Sequence, residues 1–338
     1  MVARSRIMKL FIVFLAILFS LGICEIYLRL STVQETKRLA IYDKALGWRG
    51  KPHGEGEYIV RKAKVRADYR YNNLGFRDDE VYAKEDDSHR ILLLGDSFVE
   101  SIELDFESIF PKVLEKEMQE AFDKSYEVVI LGCQGYSTAQ ELLAFRKYKE
   151  TIDPDIVLLV FFTGNDYEDN LRRQFAYLDE DGHLKFNKNE DSAMRIKYLT
   201  FKRWLYEHCH LVFYLKNLMV SKMNIKIVDS AKATASHESK EYMYDITRLL
   251  ISKMSEEVEQ EAEFGVVIIP TKEEIEEKRR ERIDTVVEIL DRKEIPYLDL
   301  YYTLGEDDYL EYDKHFNKRG HSVVAKKMLE FVSERFEM

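Results

Sequence analysis

The chain has 338 residues, of which 46% are hydrophobic and 12% aromatic, so it can bury a substantial core and is not disordered as a whole. Its 62 acidic residues outnumber its 51 basic ones, and the formal charge of -11 argues against a protein that coats nucleic acid. The three cysteines are widely spaced and form no CxxC pair, which argues against a disulfide scaffold or a thiolate metal site.

The amino-terminal residues 1–30 contain an apolar segment long enough to cross a membrane. The run from Leu10 to Cys24 has no charged residue, and it extends over residues 7–28 if Lys9 turns its amine outward. A helix over that range is about 33 Å long at about 1.5 Å per residue, enough to span a bilayer. The cleavage site expected of a signal peptide is weak here, so we predict an uncleaved membrane anchor. Basic residues are balanced on its two sides, which leaves the orientation open.

Residues 31–85 are mixed and polar, with turn residues between short extended pieces, and we interpret them as a strap. An α/β domain is predicted to follow over residues 86–338. Five short apolar runs rich in Ile, Val and Leu predict strands buried on both faces of a parallel sheet, at residues 90–95, 127–132, 155–162, 265–270 and 295–300. Segments with helical spacing lie between them at residues 107–122, 138–151 and 271–290. The alternation predicts a three-layer, doubly wound parallel sheet.

A long excursion, residues 171–262, separates the third strand from the fourth and predicts a helical insertion that forms a subdomain or a lid. Within it, residues 194–226 carry seven basic residues and one acid, interleaved with aromatic residues. Two interpretations remain open. The stretch is either an amphipathic lid helix whose aromatic side chains pack on the sheet, or a surface that faces anionic lipid or glycan.

Chemically reactive side chains follow the strands at the edge where open parallel sheets bind ligands. Ser97 follows the first strand, Gly135 the second, Asn165 the third, and Asp313 and His315 the fifth. A serine nucleophile needs an imidazole base, an acid that orients the imidazole, and donors for the oxyanion. These residue types in this order predict acyl transfer through a serine.

Three polar neighbours have simpler interpretations. Asp96 is expected to cap a helix, Asn317 to be the N-cap of a helix that starts near Lys318, and His321 to shape the loop before it. The side chains of residues 208–210, which read His-Cys-His, cannot all face one point on a helix, so we expect packing there and not a metal site.

The blocks GDSF, GCQGYS, GND and DKHFN resemble, in this order, the four blocks of the SGNH or GDSL family of hydrolases. The resemblance covers roughly residues 85–170 and 263–335, and the strap segment YNNLGFRDDE with the amino-terminal helix resembles membrane-anchored members. It implies the flavodoxin-like SGNH hydrolase fold and catalysis without a metal or cofactor. The roles that it implies are Ser97 as nucleophile, His315 as base, Asp313 as acid, and an oxyanion hole made by the backbone amides of Ser97 and Gly135 and the side chain of Asn165.

One departure from the family pattern refines the functional expectation. Many members place the acid three residues before the histidine, where this chain has Tyr312, and Asp313 is only two residues before His315. This DxH spacing resembles the branch of polysaccharide O-acetyltransferases. We expect a single-pass, membrane-anchored serine esterase that acts on O-acyl, chiefly O-acetyl, esters of a glycan. The resemblance to membrane-anchored members implies that its catalytic domain lies outside the cytoplasm, in the periplasm. The alternatives are a polysaccharide O-acetyltransferase, a lipid esterase or thioesterase, and a noncatalytic glycan-binding module of the same fold.

Overall fold

The computed structural model describes residues 2–30, 39–60, 65–122, 125–172, 175–187, 193–216, 218–219, 237–311 and 313–336. The chain divides into two compact units. The first comprises Met1–Lys37, Ile59–Lys64 and Asp191–Ala235, and the second comprises Arg38–Tyr58, Val65–Glu190 and Ser236–Met338.

The strands are β1 (Ala40–Asp43), β2 (Gly47–Gly50), β3 (Glu55–Val60), β4 (Val65–Arg70), β5 (Ser88–Gly95), β6 (Ser125–Gly132), β7 (Ile156–Phe162), β8 (Ala176–Leu178), β9 (Leu184–Phe186), β10 (Glu263–Ile269) and β11 (Tyr297–Asp299). The helices are α1 (Val2–Leu30), α2 (Ser97–Glu100), α3 (Phe110–Ala121), α4 (Thr138–Ile152), α5 (Asp166–Arg172), α6 (Ala193–His208), α7 (His237–Val258), α8 (Lys272–Glu276), α9 (Glu281–Arg292) and α10 (Lys318–Arg335). Short 3-10 turns occur at Phe106–Ser108 and Glu306–Asp308.

The second unit is built on a five-stranded sheet with the order β6-β5-β7-β10-β11, in which every neighbouring pair is parallel. The chain goes from β5 to β6 on one side and then returns to place β7 on the other side. This reversal opens a crevice at the carboxyl ends of β5 and β7, which is where doubly wound sheets bind ligands. The residues that follow β5 and β7 are therefore the ones expected at a ligand site.

Both faces of the sheet are covered, because successive residues of a strand point to opposite sides. Leu92 and Leu94 of β5 pack in one core, with side chains of α4, α7 and α9, whereas Ile91 and Leu93 pack in the opposite core with α3 and α10. These strands are apolar at every position, since both faces exclude water. The predicted three-layer, doubly wound fold is confirmed.

One prediction of a helix is wrong in its extent. Residues 271–290 were expected to be one helix, but they form α8 and the first part of α9, with Lys278 between them in a left-handed conformation at φ 54°. The charged run there favours helix by composition. Ion pairs at the start of the second helix, between Arg280 and Asp299 at 2.7 Å and between Arg282 and Glu168 at 2.6 Å, accompany the break. Tertiary contacts thus overrule a weak local preference.

The excursion between β7 and β10 is divided between the two units. Its first part forms the antiparallel hairpin β8–β9, and α7 packs Ile251 and Met254 into the sheet's core. Asp191–Ala235 belongs instead to the first unit. Residues 217 and 220–226 of the basic and aromatic stretch, and residues 31–38 and 61–64 of the strap, lie outside the described residues.

The described part of the strap consists of two antiparallel hairpins, β1–β2 and β3–β4, followed by a turn-rich segment at residues 71–81. Asn72 organises this segment, because its Oδ1 accepts hydrogen bonds of 3.0 Å from the backbone N–H groups of both Leu74 and Phe76. Phe76 and Arg77 are each 1% exposed. The strap therefore contributes to the interior of the second unit and is not a loose linker.

In the first unit, and among the described residues of the whole chain, one helix is long and apolar enough to cross a membrane. The segment is Phe11–Leu30 of α1, with 20 residues and a mean hydropathy of 2.5. A signal sequence near an amino terminus has the same length and hydropathy. The structure therefore shows the helix, and its length and hydropathy fit both an anchor and a signal sequence.

Candidate active site

The structure brings Ser97, His315 and Asp313 together in one line. Ser97 Oγ lies 2.8 Å from His315 Nε2, although the two residues are 218 positions apart in the chain. On the other side of the imidazole ring, Asp313 Oδ1 lies 2.9 Å from Nδ1. This is the order nucleophile, base and acid that serine catalysis requires.

The turn between β5 and α2 presents the serine. Asp96 Oδ1 accepts a 2.9 Å hydrogen bond from the backbone N–H of Phe98 and so caps α2, as predicted. Two glycines let this helix lie against the strand ends: a Cβ at Gly95 would come within 2.4 Å of Val99, and one at Gly132 within 2.6 Å of the same side chain. Any larger residue at these two positions pushes the serine away from the sheet edge.

The loop before α10 presents the histidine. The backbone N–H of Leu310 donates to the carbonyl of His315 at 2.9 Å, which closes the loop into a turn. Asn317 Oδ1 accepts from the N–H of Gly320 at 3.1 Å, so the predicted N-cap is confirmed. His321 is buried, and its Nδ1 accepts from the N–H of Phe110 at 2.9 Å. It is therefore a structural residue that ties the loop to α3.

Asp313 is held by the strap as well as by its own loop. Its Oδ2 accepts a 3.0 Å hydrogen bond from the hydroxyl of Tyr58 in β3, and its Oδ1 accepts from the N–H of Lys314 at 2.6 Å. Partial burial acts to raise the pKa of Asp313, but the hydrogen bond and the charge of His315 outweigh it and lower that pKa. The carboxylate form is thus the one that the site favours.

A second acid, which the sequence patterns did not indicate, also faces the histidine. Glu103 is buried on the loop after α2, and its Oε1 lies 3.2 Å from His315 Nδ1. Burial alone lowers the pKa of His315, but the charge of Glu103 and the hydrogen bond and charge of Asp313 outweigh burial and raise it to about 9. No local signal could have revealed Glu103, because its role depends on a contact with a residue more than two hundred positions away.

The predicted oxyanion donors lie at the carboxyl ends of three adjacent strands. Ser97 is the first residue of α2, where an N–H group has no acceptor inside the helix. Gly135 follows β6 with a φ of 74°, a conformation that favours glycine. Asn165 follows β7, and its Nδ2 donates to Asp96 Oδ2 at 3.1 Å and to Asp169 Oδ2 at 3.0 Å. Both amide protons of Asn165 are donated to carboxylates here. One of these two hydrogen bonds must break before Asn165 can donate to an oxyanion.

Buried acids stand behind the asparagine. Burial raises the pKa of Glu141 well above its ordinary range, and the nearby charge of Asp96 adds to the effect. Burial likewise raises the pKa of Asp166 well above its ordinary range. Within the described part of the chain, neither carboxyl oxygen of Glu141 has a hydrogen-bond partner. Protonated, neutral side chains at these positions avoid an unpaired buried charge.

Hydrogen bonds join the strap to two loops of the site. Arg77 donates to the backbone carbonyls of Glu100 and Ser101, immediately before Glu103. Tyr71 donates to Glu100 Oε1 at 2.7 Å, and Glu100 Oε2 accepts from the N–H of Gln134 at 2.8 Å. The strap is thereby linked both to the loop of the second acid and to the loop that carries Gly135.

A cavity of about 290 Å³ reaches the Gly135 loop. Its walls combine the aromatic rings of Trp48 and Tyr71 with the polar side chains of Glu100 and Gln134; the full lining is Ala40, Trp48, Tyr71, Glu100, Ile102, Cys133, Gln134 and Gly135. A small concave site with a few polar groups is typical of ligand binding.

A group of side chains that could ligate a metal ion lies outside the serine site. The ligand atoms of Asp179, Asp181 and His183, on the turn between β8 and β9, are within 4.8 Å of one another. Asp179 Oδ1 already accepts from the backbone N–H groups of Asp181 at 3.2 Å and His183 at 2.8 Å. This hydrogen-bond pattern is that of a tight turn closed by an aspartate.

No protein-family model matches the chain, and no curated protein sequence matches it. Several solved structures are similar in fold. The lipase/acylhydrolase from Enterococcus faecalis matches with a TM-score of 0.40 and 15% identity, covering 74% of this chain and 97% of that one. The psychrotrophic esterase EstA from Pseudoalteromonas sp. matches with a TM-score of 0.42 and 14% identity, covering 73% and 97%. The Clostridium thermocellum family 3 carbohydrate esterase matches with a TM-score of 0.43 and 12% identity, covering 73% and 96%. The function of this chain is therefore inferred from its own residues.

Proposed function

We propose that this protein is a serine esterase of the SGNH type that acts through an acyl-serine intermediate. The observation that carries the proposal is the 2.8 Å hydrogen bond between Ser97 Oγ and His315 Nε2, with Asp313 at 2.9 Å from the opposite ring nitrogen. A hydroxyl is a weak nucleophile until a base within hydrogen-bond reach takes its proton. The pair also stands at the strand ends where a doubly wound sheet binds its ligand.

In the first half of the reaction, Ser97 Oγ attacks the ester carbonyl carbon and its proton passes to His315 Nε2. The resulting oxyanion accepts hydrogen bonds from the N–H groups of Ser97 and Gly135, and from Asn165 once one of its carboxylate partners is exchanged. His315 then gives its proton to the departing alkoxide as the ester C–O bond breaks. In the second half, water attacks the acyl-serine and gives a proton to His315. That proton returns to Ser97 as the carboxylic acid leaves.

The substrate that we propose is an O-acyl, chiefly O-acetyl, ester of a glycan, and α1 anchors the protein in a membrane with the catalytic domain outside the cytoplasm. The cavity at Gly135 supports a sugar substrate, because Trp48 contributes an aromatic ring to its wall and Gln134 a polar side chain. The length and hydropathy of Phe11–Leu30 support the anchor.

The esterase proposal is tested with the full-length chain in detergent micelles. The wild-type protein is expected to release acetate from an aryl acetate and to be labelled on Ser97 by a fluorophosphonate. Ser97→Ala should stay folded but lose both properties, whereas Ser322→Ala, which removes an exposed hydroxyl from α10, should keep them. Unchanged turnover in Ser97→Ala rejects the serine mechanism. A wild-type protein that binds acetylated glycan without cleaving it supports the noncatalytic alternative.

The DxH spacing of Asp313 and His315 favours one further candidate, transfer of the acyl group to a glycan hydroxyl. Hydrolysis and transfer share every step up to the acyl-serine, so only the attacking nucleophile differs. A transferase must hold the acceptor hydroxyl in near-attack geometry, where effective molarities can reach about 10⁵ M or more, so that the hydroxyl outcompetes water. The product ratio, measured by mass spectrometry with and without glycan acceptors, separates the two. Acylated glycan in place of free acetate supports transfer, and a preference for acylglycerol or acyl-thioester substrates supports the lipid-directed alternative.

The orientation of the anchor has its own test. Fusions of a reporter active only in the cytoplasm, and of another active only outside it, are placed after Ala40. We expect only the second to be active. Activity of the cytoplasmic reporter reverses the proposed topology, and recovery of a shortened, membrane-free chain shows a cleaved signal sequence instead.

A further inference from the structure

The imidazole of His315 faces two carboxylates at a single ring nitrogen. Glu103 Oε1 lies 3.2 Å from Nδ1, and the Glu103 side chain is 4% exposed. Asp313 Oδ1 lies 2.9 Å from the same atom, and its side chain is 26% exposed. Asp313 also has two other donors, whereas Oε2 of Glu103 has no hydrogen-bond partner within the described part of the chain. The more deeply buried acid thus has fewer other partners.

A buried carboxylate is costly unless an opposite charge accompanies it. Burial raises the pKa of Glu103, and the charge of His315 acts against that rise. Arg77 of the strap places a second buried positive charge next to this loop, through its hydrogen bonds to the carbonyls of Glu100 and Ser101. The loop is therefore arranged so that Glu103 is charge-compensated when the imidazole is protonated.

We propose that Glu103 is a positioning residue of the catalytic base: with Asp313 it orients the His315 ring so that Nε2 faces Ser97, and it stabilises the imidazolium that forms when the serine loses its proton. This inference rests on the proposed esterase function. It adds a second acid to the three residues that the sequence motifs indicate.

The pH dependence of catalysis follows from the charges around the ring. Burial lowers the pKa of His315, but the carboxylates of Glu103, Asp313 and Asp96 outweigh it and raise that pKa to about 9. Other titratable or charged side chains that face this cluster are Glu100, Tyr58, His321 and Arg77. Burial lowers the pKa of His321 to about 3, so this second imidazole stays neutral. His315 therefore loses its proton only as the pH approaches about 9, and kcat/KM should rise with pH up to that value.

The experiment compares Glu103→Gln with Glu107→Gln, which changes an exposed acid on the same loop, in the full-length protein. In E103Q we expect the ascending limb of kcat/KM against pH to move to lower pH by about 1 to 3 units, the usual effect of one nearby opposite charge. In E107Q the limb should not move. An unmoved limb in folded E103Q overturns the proposal. Loss of wild-type activity on chelation, restored by a divalent cation, also overturns it by assigning the carboxylates to a metal.

A second measurement needs neither turnover nor a folded E103Q. The wild-type His315 resonance, assigned by its loss in His315→Gln, is titrated by NMR. A pKa near 9 supports the two-acid arrangement, whereas a value near the ordinary 6.5 rejects it even if esters are cleaved. If His315 titrates near 9 but no ester is cleaved, the proposed function fails and the effect of Glu103 on the imidazole remains.

The first unit carries a second feature, independent of the serine site. Glu25, near the carboxyl end of α1, accepts hydrogen bonds from the backbone N–H groups of His210 at 3.0 Å and Leu211 at 2.8 Å. Arg29 donates to the carbonyl of His208 at 2.7 Å. The end of α6 and the helical residues 210–216 are thus fixed to the last turns of the helix that could cross a membrane.

Large apolar side chains are exposed on this element. Met194, Tyr198, Phe201 and Trp204 recur every three or four residues along α6, which places them on one face, and they are 51% to 81% exposed. Four more such side chains, which are 42% to 64% exposed, lie beyond α6: Tyr214, Leu215, Leu218 and Met219. A cluster of exposed apolar side chains marks an interaction surface.

Basic residues are interleaved with these aromatic ones. The Lys202 ammonium lies 6.0 Å from the ring centre of Tyr198 and 5.8 Å from that of Tyr206. Lys197 is exposed on the same helix. Tyrosine and tryptophan favour the depth of lipid headgroups, and lysine is attracted to anionic lipid. The combination is typical of a helix that lies in the membrane interface.

We infer that residues 193–216 and 218–219 bind the surface of the membrane that α1 crosses, with the aromatic face among anionic phospholipid headgroups. The inference rests on the proposed anchor. The contacts of Glu25 and Arg29 with residues 208–211 place the middle of this element at the level where α1 leaves the bilayer.

The test uses the two tryptophans of the chain, Trp48 and Trp204. The full-length protein is reconstituted in phosphatidylcholine vesicles, with or without phosphatidylglycerol, that contain brominated lipid. We expect lipid to quench a component of the emission that is missing in Trp204→Phe, more strongly with phosphatidylglycerol, and less strongly in a Lys197→Gln, Lys202→Gln double variant.

The outcomes separate the two proposals. Quenching of Trp204 by aqueous iodide but not by brominated lipid, in protein that floats with the vesicles, overturns the interfacial assignment and leaves the anchor intact. Protein that does not float with vesicles at all rejects the anchor. A protein that floats and shows equal quenching with and without phosphatidylglycerol overturns the role of anionic lipid.

Discussion

Asn165 donates a hydrogen bond of 3.1 Å to Asp96 Oδ2, and the same oxygen lies 3.5 Å from Ser97 Oγ. The carboxyl group of Asp96 therefore stands between the proposed nucleophile and the proposed oxyanion donor. Its other oxygen caps α2 through the N–H of Phe98. A residue that reads as a simple helix cap thus also orients two groups of the site.

Replacing Asn165 by Ala is expected to lower kcat by about 10²- to 10³-fold with little change in KM, the usual cost of one oxyanion donor. The reason is that the amide hydrogen bond strengthens only when charge develops on the substrate oxygen. Steady-state kinetics with an aryl acetate, beside a thermal unfolding curve, provide the measurement. A rise in KM alone marks Asn165 as a residue of ground-state binding.

Replacing Tyr58 by Phe is expected to lower kcat about tenfold. The hydroxyl donates to Asp313 Oδ2 at 3.0 Å, and a hydrogen bond to a charged group contributes about 1.5 to 3 kcal/mol. Tyr82→Phe, which removes a hydroxyl from a residue that is 71% exposed, is the control and should leave kcat unchanged. Equal rates for Y58F and the wild type show that the loop alone orients Asp313.

Replacing Arg77 by Met is expected to lower the free energy of unfolding by about 3 to 5 kcal/mol, the usual cost of removing one partner of buried charges. Its side chain is 1% exposed and donates to the carbonyls of Glu100 and Ser101. Arg70→Met removes an exposed ion pair with Asp79 and should cost at most about 1 kcal/mol. Denaturant unfolding measures both. Equal losses in the two variants reject a special role for the buried strap arginine.

Replacing Glu141 by Gln is expected to raise stability at neutral and alkaline pH relative to the wild type. The pKa of Glu141 is raised in the folded protein, so the unfolded chain loses its proton first as the pH increases above about 4. The ionisation of Glu141 therefore lowers the free energy of unfolding of the wild type as the pH increases. Glutamine has no proton to lose, so the variant avoids this loss. Thermal unfolding from pH 4 to 8 tests this, with Glu150→Gln, an exposed acid on the same helix, as control. Parallel pH curves for E141Q and the wild type contradict the assignment.

Short continuous apolar runs predicted the five strands of the sheet, and each predicted segment overlaps an observed strand. This succeeded because strands buried on both faces are continuous apolar runs, which few other structures resemble. The same reasoning placed Ser97 and His315 at one edge, since the carboxyl ends of parallel strands meet there. It failed at residues 271–290, where helix-favouring charged residues hide a break stabilised by the pairs of Arg280 and Arg282.

The sequence by itself determined the layered fold and the order in which the reactive residue types occur, because burial pattern and position after a strand are local properties. Only the tertiary structure decided which side chains complete the environment of His315. Glu103, Arg77 and Tyr58 carry no local signal, since an acid, a cation or a hydroxyl in a polar stretch reads as solvent-exposed. Their roles arise from contacts that join the strap to loops far away in the chain, and such contacts exist only after the sheet has brought those loops together.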